Sequence, residues 1–368
     1  MRIEAITHPA DWDRAAIAAD TTWERRLTLA EIADLERALG HALARGKPLF
    51  EMEPQDLPLG APSRGLLREA LAQIGQKTGF QLLRGFPVER WSAEQMRVLF
   101  WGLGLHFGVA RPQGKTSLFL TDVRNTSDTD YRSSTGRGYN SNAALDFHTD
   151  SGDIVGLMCL QTAASGGTSA IASGVRIHNE MLAQRPDLVE ALYAPLHFSR
   201  QGDEAPEERP YYRASVFGSA QGRFACFVRP THHVLNAQKN FPELPRLTPL
   251  QQEALDLLSV TMQRDDLCFH MDFEPGDIQL IDNYSVVHAR TNYTDHPDPA
   301  RKRHLLRLWL ALPGGQPLPD QWSEAFKDVA PGAVRGGVRG REITPDIVAF
   351  ERRMADHHGM HFRIDEAA

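Results

Sequence analysis

The chain is poor in cysteine, in long apolar runs and in surplus positive charge. Its three cysteines, Cys159, Cys226 and Cys268, each sit between apolar neighbours. An odd count in such surroundings argues against a disulfide framework or a cysteine metal site and predicts reduced, buried thiols. No stretch approaches the roughly 18 uninterrupted apolar residues of a membrane span. Residues 1–8 lack the apolar core of a secretory signal. A formal net charge of −7 leaves no basic excess to neutralise phosphates, so no nucleic-acid or membrane-surface partner is expected. The densest basic run, Arg301-Lys302-Arg303-His304, leads straight into Leu305-Leu306-Arg307-Leu308-Trp309-Leu310 and reads as a strand entrance. These features predict a cytoplasmic protein that needs no staples to hold its core.

What is present is a helical beginning and a strand-rich body. Thr28-Leu29-Ala30-Glu31 and Ser92-Ala93-Glu94-Gln95 are capping boxes that open helices, the first continued by Leu35, Leu39 and Leu43 and the second reaching about Leu105. Ser63 is expected to open another helix, and Gly79 to Pro87 reads as a strand. From Ser117 short strands follow, over 117–123, 154–160, 170–172, 223–229, 267–273, 277–281 and 305–312. Helices interrupt them at about 175–193 and 249–264, and Thr344-Pro345 caps a last one. Helices grouped early around a sheet-rich body predict a barrel or jelly roll with a helical flank, not βαβ winding. Two polar loops stand out: 125–142, with lid-like length, and the acidic 201–210, read as surface.

His-x-Asp followed much later by His is the ligand order of a facial triad, two imidazoles and a carboxylate on one face of an Fe(II) octahedron. The short motif occurs three times, so context must choose. His296-Pro297-Asp298 lies in a turn by composition. His270-Met271-Asp272 lies only 18 positions before His288, too close for several intervening strands. His148-Thr149-Asp150 lies 140 positions before His288, room for most of a jelly roll. On the strand after it, Arg303, Leu305, Arg307 and Trp309 share one face by period two. Two arginines among apolar residues are costly unless they meet anions, and a guanidinium suits a carboxylate. An internal salt bridge is the bland alternative.

These segments resemble the TauD/TfdA group of 2-oxoglutarate-dependent dioxygenases, the clavaminate synthase-like and γ-butyrobetaine hydroxylase-related family. The resemblance runs from about Gly79 to Leu312. It rests on Leu145-Asp146-Phe147-His148-Thr149-Asp150, Gly166-Gly167-Thr168-Ser169, Ile281 to Arg290 and Arg303 to Leu310. It implies a mainly β fold with flanking helices, a double-stranded β-helix or jelly roll. Residues 1–110 would form the flank, 111–312 the catalytic core and 313–368 a tail with a terminal helix, all in one structural domain. It further implies His148, Asp150 and His288 as iron ligands, Arg303 for the distal carboxylate of 2-oxoglutarate, and Ser169 or Thr168 as the supporting hydroxyl. Arg307 would face a substrate anion, although Arg303 and Arg307 are able to exchange roles.

The implied reaction uses Fe(II), 2-oxoglutarate and O2 to oxidise a C–H bond of a small substrate, giving succinate and CO2. The free arginine points to an anionic or amino-acid-like substrate, with Asn142, Asn125 and Tyr131 of the long loop as further contacts. The rival readings are an inactive jelly-roll binding protein and a metal-dependent hydrolase, the latter having no use for the arginines. His232, His233, His357, His358 and His361 read as surface residues and His178 as structural. The sequence leaves a homo-oligomer open.

Overall fold

The computed structural model describes residues 3–127, 131–133, 136–340 and 343–363. Two sheets make the body. The larger runs in the order Glu24–Arg26, Phe80–Arg84, Ile278–Asp282, Ile154–Gln161, His304–Ala311, Val109–Arg111, with Leu120–Val123 also paired to His304–Ala311. The smaller runs Phe269–Met271, Ser169–Ser173, Val286–Arg290, Leu145–His148. The sheets pack on each other through Val155, Ile281 and Trp309 from one and Ile171, Val286 and Met271 from the other. This is the expected jelly roll, built of two facing sheets and not of one closed ring.

Alternation along His304–Ala311 decides what lies on either side. Leu306, Leu308 and Leu310 point outward and are buried beneath the early helices, in one core with Leu35, Leu39, Leu99 and Trp101. Each such leucine contributes about 1.5–3 kcal/mol by leaving water. Helix Ala93–Phe107 approaches so closely that a Cβ on Gly104 would stand 2.2 Å from Leu308 Cδ2. The terminal helix Pro345–His358 joins the same core through Phe350, whose ring lies 5.3 Å from that of Trp101. A second core covers the smaller sheet. There Gly174–Gln184, Pro186–Tyr193 and Pro249–Met262 pack over Phe147, Tyr284 and Val287.

The caps read from sequence form at Thr28, Ser92, Thr248 and Thr344. Elsewhere the boundaries shift for identifiable reasons. The helix expected from Ser63 begins at Ala61, because Asp34 of the preceding helix accepts from Gly60 N–H at 2.8 Å and serves as a cap from outside. The helix expected over 175–193 breaks at Arg185, since Pro186 has no N–H to continue it. The strand expected over 223–229 spans only Arg223–Cys226; Phe227 N–H still donates to Val216 O, and Val228 and Arg229 then run toward the metal-ligand candidates. All three cysteines are free and buried. Among the described residues no helix is long and apolar enough to cross a membrane.

Candidate active site

His148 closes the strand Leu145–His148 and His288 stands midway along Val286–Arg290. The two are direct partners across that antiparallel pair, with ring centroids 4.3 Å apart. Asp150 follows in the turn, its Oδ2 3.5 Å from His288 Nε2. One ligand atom from each of His148, Asp150 and His288 lies within 4.8 Å of the others. Among the described residues no other such group of His, Cys, Asp and Glu converges. His270 and Asp272 are exposed and lie apart from it.

Neighbours fix these side chains. Asp146 O lies 2.8 Å from His148 Nδ1, so that nitrogen carries the proton and Nε2 keeps its lone pair. Asp150 N–H donates to Asn283 Oδ1 at 2.9 Å, and Asn283 Nδ2 donates to Gly152 O at 3.0 Å. Thr149 N–H donates to Val228 O at 2.8 Å. Burial, helped by His288, pushes His148 down to about 3, leaving a neutral imidazole. Burial alone would raise Asp150, but the Arg307 guanidinium and His288 outweigh it and hold the carboxyl well below its ordinary range. Asp150 Oδ2 and His288 Nδ1 are buried without a hydrogen-bond partner among the described residues. Two imidazoles, one carboxylate and orphaned polar atoms form a donor set that fits Fe(II).

Behind the trio an inner pocket of about 50 Å³ opens between the sheets, walled by His148, His288, Leu157, Ser169, Arg303 and Arg307. Arg303 is buried, and its Nη1 has no hydrogen-bond partner among the described residues. Arg290 is buried too, with Nε and Nη1 unpartnered, while its Nη2 donates to Ser141 O at 2.7 Å. Tyr293 sits with its ring 5.0 Å from the Arg303 guanidinium carbon and 4.8 Å from that of Arg290. Burial and then Arg303 push Arg290 down to about 10. Neither arginine has a carboxylate within 4.0 Å among the described residues, so the salt bridge that would make them structural is missing. An unpaired cationic end is what a dicarboxylate requires. Gly167, with φ +76°, admits this arrangement, since a Cβ there would lie 3.0 Å from Arg303 Nε.

Sequence left Ser169 and Thr168 open. Ser169 is buried on the wall shared with His288 and Arg303 and exchanges hydrogen bonds with Gln279, whose Nε2 donates to Ser169 Oγ at 3.1 Å. Thr168 turns the other way and donates to Asp272 Oδ1 at 2.7 Å. Arg307 reaches both the inner pocket and the space outside, with Nε donating to Gln113 Oε1 at 2.7 Å and Nη1 3.7 Å from Asp150.

On the outer side lies a cavity of about 170 Å³ whose walls include Tyr131, Tyr139, His148, Asp150, Arg229 and Trp309. Tyr131 lines it as expected, but Asn142 does not. That side chain is exposed and donates to Tyr293 O at 3.3 Å. Residues 128–130 and 134–135 of the long loop lie outside the described residues. His232 and His233 are not the surface residues expected: both line the cavity, and His233, with Ser199 O 3.2 Å from Nδ1, is held well below the ordinary histidine range by burial and by Arg229. Gln201 and Asp203 of the acidic loop also line it, braced by Arg137. Arg229, Arg290 and Gln279 were not singled out from sequence.

The model of the family described as taurine catabolism dioxygenase TauD, TfdA matches residues 43–309. The chain belongs to the TauD/TfdA family. It is therefore a 2-oxoglutarate-dependent dioxygenase by membership. The FR-33289 synthase of Streptomyces rubellomurinus is 31% identical over 324 residues, covering 86% of this chain and 94% of that one. A taurine hydroxylase-like protein, SAT17, of Stachybotrys chartarum is 29% identical over 294 residues, covering 77% and 73%. Among solved structures, an asparagine oxygenase with Fe(II), hydroxyasparagine and succinate superposes with a TM-score of 0.58 at 18% identity, over 78% of this chain and 93% of that one. The non-heme iron oxygenase OrfP with Fe and alpha-ketoglutaric acid does so with a TM-score of 0.56 at 16% identity, over 78% and 94%. At these identities the structures speak for the jelly-roll fold, and the family match carries the enzyme class.

Proposed function

We propose that this enzyme oxidises a C–H bond of a small anionic or amino-acid-like substrate, with His148, Asp150 and His288 holding Fe(II), and with 2-oxoglutarate and O2 consumed to succinate and CO2. One observation carries the reading. The three ligand atoms converge where an inner pocket ending in an unpaired buried arginine meets an outer cavity large enough for a small molecule. Iron, when bound, supplies the redox chemistry that couples 2-oxoglutarate decarboxylation to substrate oxidation.

The chain supplies binding and orientation. Arg303 takes the distal carboxylate of 2-oxoglutarate with Ser169 as the supporting hydroxyl, and Gln279 orients that hydroxyl. Arg303 suits this role better than Arg307, because it lines the inner pocket with no carboxylate within 4.0 Å among the described residues, while Arg307 already engages Gln113 and Asp150. The apolar walls Val123, Leu157, Phe273 and Leu305 keep water from the bound co-substrate. Arg307 and Tyr131 face the substrate. Hydroxyasparagine and arginine-derived ligands in the asparagine oxygenase and OrfP structures support an amino-acid-like molecule as one candidate class. The reading extends to a cytoplasmic location, which fractionation of the source cells would check.

The test adds Fe(II) and then 2-oxoglutarate to the protein without oxygen and follows the visible spectrum. A weak metal-to-ligand charge-transfer band is expected in wild type and not in His148→Ala. Iron bound with no band would remove 2-oxoglutarate from the reading and favour a binding protein or a hydrolase.

A further inference from the structure

Four arginines line the outer cavity: Arg137, Arg200, Arg229 and Arg307. Three already face carboxylates. Arg137 is 2.5 Å from Asp203, Arg200 is 3.6 Å from Glu208 and Arg307 is 3.7 Å from Asp150. Arg229 has no carboxylate within 4.0 Å among the described residues. Its Nη1 donates to Thr149 O at 2.9 Å, and its guanidinium carbon lies 5.7 Å from the Phe227 ring centroid. Its Nε is buried without a hydrogen-bond partner among the described residues. A fixed guanidinium that keeps an unsatisfied buried donor is costly unless something else completes it. Among the described residues the carboxylates that line the same cavity each have a cationic or ligand-trio neighbour: Asp146 lies 2.9 Å from Arg132, Asp203 lies 2.5 Å from Arg137, and Asp150 belongs to the trio.

We infer that Arg229 anchors an oxyanion of the substrate. The inference rests on the proposed function and narrows its substrate class to carboxylates, sulfonates or phosphonates. The placement also bounds the molecule's length. Arg229 grips the carbonyl of Thr149, the residue between His148 and Asp150, so an anion seated there lies beside the ligand trio. A short molecule bridges the two.

The test uses enzyme loaded anaerobically with Fe(II) and 2-oxoglutarate, and in parallel the metal-free protein. Calorimetry measures binding of butyrate, propane-1-sulfonate, propylphosphonate and propylamine. At least one oxyanion is expected to bind at millimolar concentration or better and propylamine not at all; which anion binds tightest identifies the headgroup. Arg229→Gln is expected to weaken that binding at least roughly tenfold, with Arg229→Lys between the two. The charge-transfer band of 2-oxoglutarate should persist in both variants, which also reports that the ligand loop is intact. Equal binding of propylamine, no binding of any oxyanion, or unchanged binding in Arg229→Gln would overturn the inference. A wild type lacking the band would count against the parent reading alone, because anion binding by the metal-free protein still judges Arg229.

Discussion

The inner pocket and the outer cavity share Tyr139, Leu145, His148 and Arg307 and are built in opposite ways. Strands wall much of the inner pocket. Ser169, Leu157, His288, Leu305 and Arg307 each stand on a strand whose register its neighbours fix. The outer cavity draws much of its wall from segments between strands: Tyr131 and Gly136 to Tyr139, Arg200 to Asp203, and Phe227 to His233. A pleated sheet presents side chains at fixed intervals and tolerates little change, because a one-residue slip inverts the face. Connecting segments vary without such a penalty. The division suits an enzyme whose co-substrate is common to its family and whose substrate is its own.

Substitutions should separate the two halves. The largest effect is expected from Asp150→Ala, which removes a ligand candidate and should reduce succinate release to background; sustained turnover would remove Asp150 from the trio. Arg303→Met should come next, raising the concentration of 2-oxoglutarate needed for half-maximal turnover roughly a hundredfold, since a buried ion pair is worth about 2–5 kcal/mol. Binding of the outer-cavity ligand should hardly change, and a variant that loses both equally would break the comparison. Asn283→Ala touches neither pocket. It frees Asp150 N–H and Gly152 O, and iron affinity measured by competition with a chelator should fall roughly 10- to 100-fold. The smallest effect is expected from Arg132→Ala at the cavity mouth, where the ion pair with Asp146 is exposed. Thermal denaturation should register less than about 1 kcal/mol there.

The same contrast explains what could be read from the sequence. His148, Asp150 and His288 were legible because the ligand order is compact and only one of three His-x-Asp matches leaves room for the intervening strands. Arg303 and Arg307 were legible because alternation alone puts them on one face of His304–Ala311 and its entrance. That Ser169, and not Thr168, lines the inner pocket needed the register that pairs Ser169 with Arg290. Arg229 was not legible. Its sequence context reads as a strand running on through Val228, and what turns it inward is a bond between distant residues, Thr149 N–H to Val228 O. His232 and His233 follow on the same segment and were misread with it. Asn142 shows the converse error, because a polar residue on a long loop near the motif need not point inward.

The cross-strand pairing of His148 with His288 has a mechanical side. Leu145–His148 is the edge strand of its sheet, and its ladder with Val286–Arg290 shifts register just past His288. An ion held by both histidines would act as a rivet at the weakest seam of that sheet, adding its binding free energy to the few hydrogen bonds that keep the edge in place. The wall carrying Leu145 and Asp146 would then stiffen only in the loaded enzyme. Filling the metal site would set the shape of the chamber beside it before any substrate arrives.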